Sequence, residues 1–238
     1  MNLLTKYLLV FLSALLCSLP LQANQLPKAF SATYKANYNG IEIKATRSLT
    51  ANGPKQTLNF TANSWLASIV EESLFEWGEH GYLIPQKYRY DRTGVGRERH
   101  ALLTFDWDQR NVVNQVQDSK WKMDLPEIAL DKLSYQLQLR KDLINSSPLG
   151  PYQIADGGRL KTYEFEKIGE SVIDTPMGKL NTVEIKRIRK KKNRTTHIWL
   201  AKDWDYLIVK IQQLEKDGKS YEINIAQAVV DKQTVTGL

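Results

Sequence analysis

The stretch LIVKIQQLEKDGKSYEINIAQ, residues 207–227, decides the fold. Leu207, Val209 and Ile211 alternate with Ile208, Lys210 and Gln212, and Tyr221, Ile223 and Ile225 alternate with Glu222 and Asn224. A two-residue period puts successive side chains on opposite faces of an extended chain, so each run reads as a strand with one apolar face. Lys216-Asp217-Gly218-Lys219 joins them. An Asp-Gly pair suits a two-residue type I′ hairpin turn, which needs positive φ at its central positions. Four such segments follow one another from Thr175 to Val230, which predicts an antiparallel meander.

The same period runs through the earlier chain. Phe30, Ala32, Tyr34, Ala36 and Tyr38 alternate with polar residues up to Asn39-Gly40, and Ile41, Ile43 and Ala45 return. Leu58, Phe60 and Ala62 resume it after Asn52-Gly53-Pro54. From Trp65 to Trp77 strand and helix periods compete, and the reading is an irregular or helical start with a strand from about Val70. Tyr82 to Tyr90 is a strand whose Pro85 must sit at an edge or a bulge, because proline cannot donate to a ladder. Ala101 to Trp107, Val112 to Val116 and Trp121 to Leu125 follow. After them Tyr152 to Ala155, Leu160 to Lys167 and Glu170 to Asp174 return to the strand pattern.

One segment, Leu130 to Ile144, has helical spacing instead: Leu130, Leu133, Leu137 and Ile144 share a face, with Lys132, Gln136, Arg140 and Lys141 on the solvent side. It is expected to cap an open end of the sheet or to separate two sub-sheets. Asn145 to Pro151 ends it. The predicted fold is therefore mainly β: a strongly curved antiparallel sheet, a roll or half-barrel, with one amphipathic helix. A two-sheet β-sandwich is the alternative.

Residues 1–23 read as a signal peptide, with Lys6, an apolar run from Tyr7 to Leu16, and a small-residue cleavage site ending at Ala23. The run is about half the roughly 20 residues a membrane span needs. Residues 24–238 form a single β-rich domain, expected in the periplasm. Cys17, the sole cysteine, offers an alternative lipid anchor, although Leu16 and Ala14 fit a lipoprotein motif poorly. Without it the mature chain has no disulfide, and stability rests on a hydrophobic core. The net charge of +7, one lower after Lys6 is removed, favours anionic surfaces.

Two groups of residues are candidate sites. Tyr34, Tyr38, Tyr88, Tyr90, Phe105 and Trp107 form aromatic stripes that could line a ligand cavity or simply fill the core. Lys186, Arg187, Arg189, Lys190, Lys191, Lys192 and Arg194 form a basic cluster expected at a hairpin tip. There it would meet an anionic headgroup, or discourage edge-to-edge pairing. Catalytic signatures are lacking. His80, His100 and His197 stand alone, no serine sits in a G-x-S-x-G elbow, and no glycine run has a phosphate-loop context. Asp106 with Asp108, or Glu71 with Glu72, could serve as a glycosidase acid–base pair, but adjacent acids on strands mark a wet face more often. No cofactor or metal is expected.

Gly81-Tyr82-Leu83-Ile84-Pro85 leading to Tyr88-Arg89-Tyr90, then Phe105-Asp106-Trp107, Asp131 to Leu137, Gly178-x-Leu180-x-Thr182-Val183 and Ile198 to Ala201 occur in this order. In this set the chain resembles the domain-of-unknown-function 3108 family of exported Gram-negative proteins. The resemblance implies a periplasmic β-rich domain and transfers no functional residues. The expected function is non-catalytic: an envelope protein binding an amphiphile (lipid or lipopolysaccharide) or a glycan. An envelope scaffold with a protein partner is the alternative, and a cell-wall glycan hydrolase the third reading. Neither nucleic acid binding nor an integral membrane position is expected.

Overall fold

The structure is a computed structural model; it describes residues 25–38, 40–189 and 194–238, with only the backbone of Tyr38. The expected signal peptide, its cleavage site and Cys17, the turn residue Asn39, and Lys190, Lys191 and Lys192 lie outside the described residues.

Strand accounts for 64% of the described residues, in a large antiparallel sheet of 15 strands that is not closed into a barrel. The first eight strands are β1 (Phe30–Tyr38), β2 (Ile41–Asn52), β3 (Lys55–Asn63), β4 (Ala67–Trp77), β5 (Leu83–Gly94), β6 (Arg99–Asp106), β7 (Asn111–Val116) and β8 (Ser119–Asp124). Each pairs with the next, so the chain meanders outward from β1 to an edge at β8. The helix α1 (Ser134–Ile144) follows. The chain then re-enters at the opposite edge with β9 (Tyr152–Ala155). It meanders back through β10 (Leu160–Thr175), β11 (Gly178–Ile188), β12 (Arg194–Ala201), β13 (Leu207–Glu215) and β14 (Ser220–Val230). β14 pairs with β1, Phe30 opposite Val230, and with the short β15 (Gln233–Thr234).

Several local expectations are refined. The strand after Trp65 begins at Ala67 and contains no helical turn, its corner held by the Ser64 hydroxyl, which accepts the Ala67 N–H. Pro85 sits at a bulge inside the sheet: Leu74 faces Lys87 and Phe75 faces Pro85, so Gln86 is the extra residue. The Asp217-Gly218 turn is not a two-residue type I′ turn. The Gly218 N–H reaches back to the Glu215 carbonyl, and the Glu215 N–H bonds the Lys219 carbonyl. That makes a three-residue loop with only Gly218 at positive φ, +84°, because a type I turn followed by a left-handed residue closes such a hairpin.

The helix departs most from expectation. It begins at Ser134, and Arg140 and Lys141, assigned above to the solvent side, are 2% and 5% exposed. Leu137 to Asp142 are all buried, so packing surrounds the helix rather than meeting one stripe of it. Buried Gln138 and Asp142 are satisfied locally. Gln138 accepts the Leu83 N–H and donates to Asp142, and the Tyr152 hydroxyl also donates to Asp142. At the N-terminus the buried Asp131 carboxylate accepts the N–H groups of Leu133 and Ser134 and the Ser73 hydroxyl. This Asp131 contact fastens the start of the helix to the middle of β4. The core is one apolar cluster that includes Leu58, Leu103, Leu137, Ile185 and Leu200, drawn from both halves of the sheet and from α1.

Candidate ligand cavity

Inward positions are set by the strand period. In β2 they are Ala45, Arg47 and Leu49, buried where their neighbours are not. In β11 Ile185 is buried, and the same face continues to Arg187 and, just past the strand, Arg189. In β10 Tyr163 and Phe165 are inward, flanked by exposed Thr162, Glu164 and Glu166. These side chains meet Lys132 and Tyr135, at the N-terminal end of α1, around a cavity of about 270 Å³. β4 contributes Glu71 to the same wall.

The wall thus carries four cations, Arg47, Lys132, Arg187 and Arg189, against one carboxylate, Glu71. Aromatic faces hold the cations. The Arg187 guanidinium lies 3.2 Å from the Tyr163 ring centroid, and Lys132 Nζ lies 5.1 Å from that of Tyr90. Tyr135 packs edge-on to Tyr163 and stacks on Phe165. Arg189 donates to the Thr196 hydroxyl at 3.4 Å. Nevertheless the Nε atoms of Arg47, Arg187 and Arg189 are buried and find no partner among the described residues. Glu71 is engaged elsewhere, accepting the Tyr88 hydroxyl.

Electrostatics shows the strain of this arrangement. Burial, followed by the nearby Arg187 and Arg194, pulls the Arg189 pKa down. Burial pushes the Tyr135 phenol up to about 12, and burial with the Glu71 charge raises Tyr88 further, so both hydroxyls stay protonated. Arg47 is buried and Lys132, Arg187 and Arg189 are half-buried, and cations drawn out of water without an opposite charge are costly. A cavity of this kind is complementary to an anion, since guanidinium groups match carboxylate and phosphate oxygens. A second cavity, of about 340 Å³, shares Arg187 and Arg189 as walls. It is bounded by the partly exposed Glu166, Lys186 and Arg194.

The structure disperses the aromatic stripes. Tyr34 is buried, its hydroxyl donating to the Ile208 carbonyl at 2.8 Å. Tyr88 is buried on Glu71, and Tyr90 lies half-buried under Lys132. Phe105 and Trp107 stack, 6.1 Å apart, and line a separate open groove of about 850 Å³. The groove also carries Glu79, Asp106, Asp108 and Glu127. Tyr38 has no described side chain. The basic cluster divides: Lys186 and Arg194 point outward and pair with Glu166 and Glu215 at 2.9 and 2.7 Å, while Arg187 and Arg189 turn into the cavity. Glu71 faces the cavity, so Glu72, next along β4, faces the other side of the sheet. Sequence reasoning missed Arg47, Lys132, Tyr163 and Phe165. Arg47 was visible as a cation between two inward apolar residues, Ala45 and Leu49.

The model of the family described as "Protein of unknown function (DUF3108)" matches residues 30–224. The chain belongs to the DUF3108 family. The matched stretch runs from β1 into β14 and includes every cavity residue named above. No curated protein matches the sequence. Among solved structures, a Bacteroides fragilis protein assigned as exported, with a YmcC-like fold, is 8% identical. The alignment covers 90% of this DUF3108 chain and 97% of that one, with a TM-score of 0.28. A Parabacteroides distasonis protein assigned as a lipoprotein is 10% identical, covering 88% and 97%, with a TM-score of 0.27. At such scores neither likeness bears on the site. Among the described residues of this DUF3108 protein no helix is long and apolar enough to cross a membrane, and no three His, Cys, Asp or Glu side chains gather as a metal site.

Proposed function

We propose that this protein is a non-catalytic, exported envelope protein. In this reading it holds an anionic amphiphile with its head in the cavity beside the N-terminal end of α1. The observation that carries the reading is the charge imbalance of that cavity, with three buried guanidinium Nε atoms lacking partners. The aromatic wall suits an apolar or ring-bearing portion of the ligand, and the adjoining surface cavity gives it room. The sheet, in this reading, curls around the helix as a roll, which is how β2 to β4 and β10 to β14 reach one space. Export rests on the apolar N-terminal segment and the expected cleavage after Ala23.

Native mass spectrometry of protein purified from the periplasm tests this, followed by titration with palmitate, phosphatidylglycerol, lipid A and a neutral alkyl glucoside. Retention of an anionic species, with binding of the anionic probes and not of the glucoside, is the expected result. A ligand-free spectrum with no binding of any anionic probe would overturn it. The extensive packing of the inner face and the open groove with exposed Tyr82 and Ile128 favour a second reading, an envelope scaffold. That reading expects cross-linking in cells to trap a protein partner at the groove.

A further inference from the structure

A second unbalanced site lies deeper and shares Arg47 with the cavity. Arg140 reaches from α1 toward β1 and β2. Its Nε donates to the Asp205 carbonyl at 3.1 Å, and its guanidinium lies 4.6 Å from the Phe30 ring centroid. Nη1 and Nη2 are buried and have no partner among the described residues. Arg47, 7% exposed, brings a third unpartnered nitrogen, Nε. Both arginines line a void of about 10 Å³ walled by Phe30, Leu58, Leu137 and Leu207.

The neighbouring groups supply no direct partner for these nitrogens. Among the described residues no carboxylate forms an ion pair with either arginine within 4.0 Å. The Asp205 carboxylate accepts the Lys28 N–H; its charge favours the Arg140 guanidinium through space, but it bonds neither Nη atom. The Tyr34 hydroxyl donates to Ile208, and its pKa is raised by burial, so it remains neutral. Burial lowers the Arg140 pKa to about 10, opposed by the nearby Asp205 charge and by Tyr34, with Arg47 adding a smaller downward push, so at neutral pH the guanidinium is still charged.

We propose that Arg140 and Arg47 together bind a monatomic anion of halide size, chloride in the cell, in this void. The void has room for about one water-sized sphere, so a halide, somewhat larger than water, is the largest anion its walls could admit, which excludes a phosphate or a carboxylate-bearing ligand. A water molecule could accept from only two of the three nitrogens and would leave two buried cations unneutralised, which is the costlier state. The anion would also join α1 to β2, beside the cavity that shares Arg47 and Gln136 with this void.

Bromide replaces chloride and scatters anomalously, so crystals of the mature protein grown in bromide give the direct test. An anomalous peak within hydrogen-bond distance of Arg140 Nη1 or Nη2 and Arg47 Nε is expected. Water density with no anomalous signal there, or bromide only beside Arg187 and Arg189, overturns the proposal. In solution, chloride at constant ionic strength, balanced with gluconate, should raise the folding equilibrium constant. Above the dissociation constant the rise approaches tenfold per tenfold increase in chloride. In Arg140→Met that dependence should vanish. An unchanged chloride response in the variant, or none in the wild type, counts against the site. Should the variant fail to fold, the wild-type bromide map still decides.

Discussion

Two concavities of this protein, the open groove and the interior cavity, differ in a way that size alone would misjudge. The open groove beside Trp107 has about three times the volume of the interior cavity. Its charged groups, Glu79, Asp106, Asp108 and Glu127, stand at or near the surface, where water satisfies them. The interior cavity is small, but the Nε atoms of its three arginines are buried and unanswered. An unmet donor in a dry site discriminates between ligands far more than a hydrated carboxylate does, because binding restores a hydrogen bond that folding left unmade. Chemistry therefore selects the smaller space.

The sharpest way to break this contrast is to remove the inward arginines. Arg187→Ala with Arg189→Ala should weaken binding of an anionic probe such as palmitate or phosphatidylglycerol by at least about 100-fold in equilibrium titration, each charged hydrogen bond being worth roughly 1.5–3 kcal/mol. Arg187→Lys should recover only part of this loss, because an ammonium keeps the charge without the fork. Retained affinity in the double variant would return the groove to contention.

A second experiment acts on the helix that borders the cavity. Burial lifts the Asp131 carboxyl from its ordinary 3.8 to about 6, opposed by its hydrogen bonds from Ser73, Ser134 and Leu133. The folded state then holds this proton more tightly than the unfolded chain. The resulting stabilisation is complete below about pH 3.8 and is lost as pH rises through about 6. Denaturant melts at several pH values should show wild type losing on the order of 3 kcal/mol relative to Asp131→Asn from about pH 4 to about pH 7. Asp131→Ala should be less stable than wild type by about 1–3 kcal/mol, as it removes the acceptor for two helix N–H groups.

Smaller effects complete the comparison. Lys186→Ala, outward and paired with Glu166, should change probe affinity by less than about 2-fold at physiological salt, since exposed ion pairs contribute little. Trp107→Ala should leave binding of the anionic probes unchanged. A large loss in Trp107→Ala would mean that the groove is part of the same site.

Much of this architecture is legible in the residues, and the exceptions have causes. Strand period is a local property, so the runs around Leu207 to Ile211 and Tyr221 to Ile225 declare themselves, as does the family. The burial of Arg140 and Lys141 is not local. Their polarity marks them as solvent-facing unless packing is known to surround the helix. The Asp217-Gly218 pair fits two turn types, and the paired strand ends decide between them. The basic cluster is legible only as a group. Read as a tip it looked uniformly solvated, yet Arg187 follows buried Ile185 by two residues and so keeps the inward face. The cavity is the least legible feature, because Arg47 and Arg187 lie far apart in the chain and meet only through the complete sheet.

One consequence follows from the pairing of β1 with β14. The strand made first lies beside one of the last, separated by about two hundred residues of chain. Ring closure over such a length is slow, so through most of synthesis the free side of β1 has no partner. Until residues 220–230 arrive, that rim can be captured by any other extended chain. The nascent molecule therefore depends on timing: whatever escorts it must shield one strand near its beginning until its end has emerged.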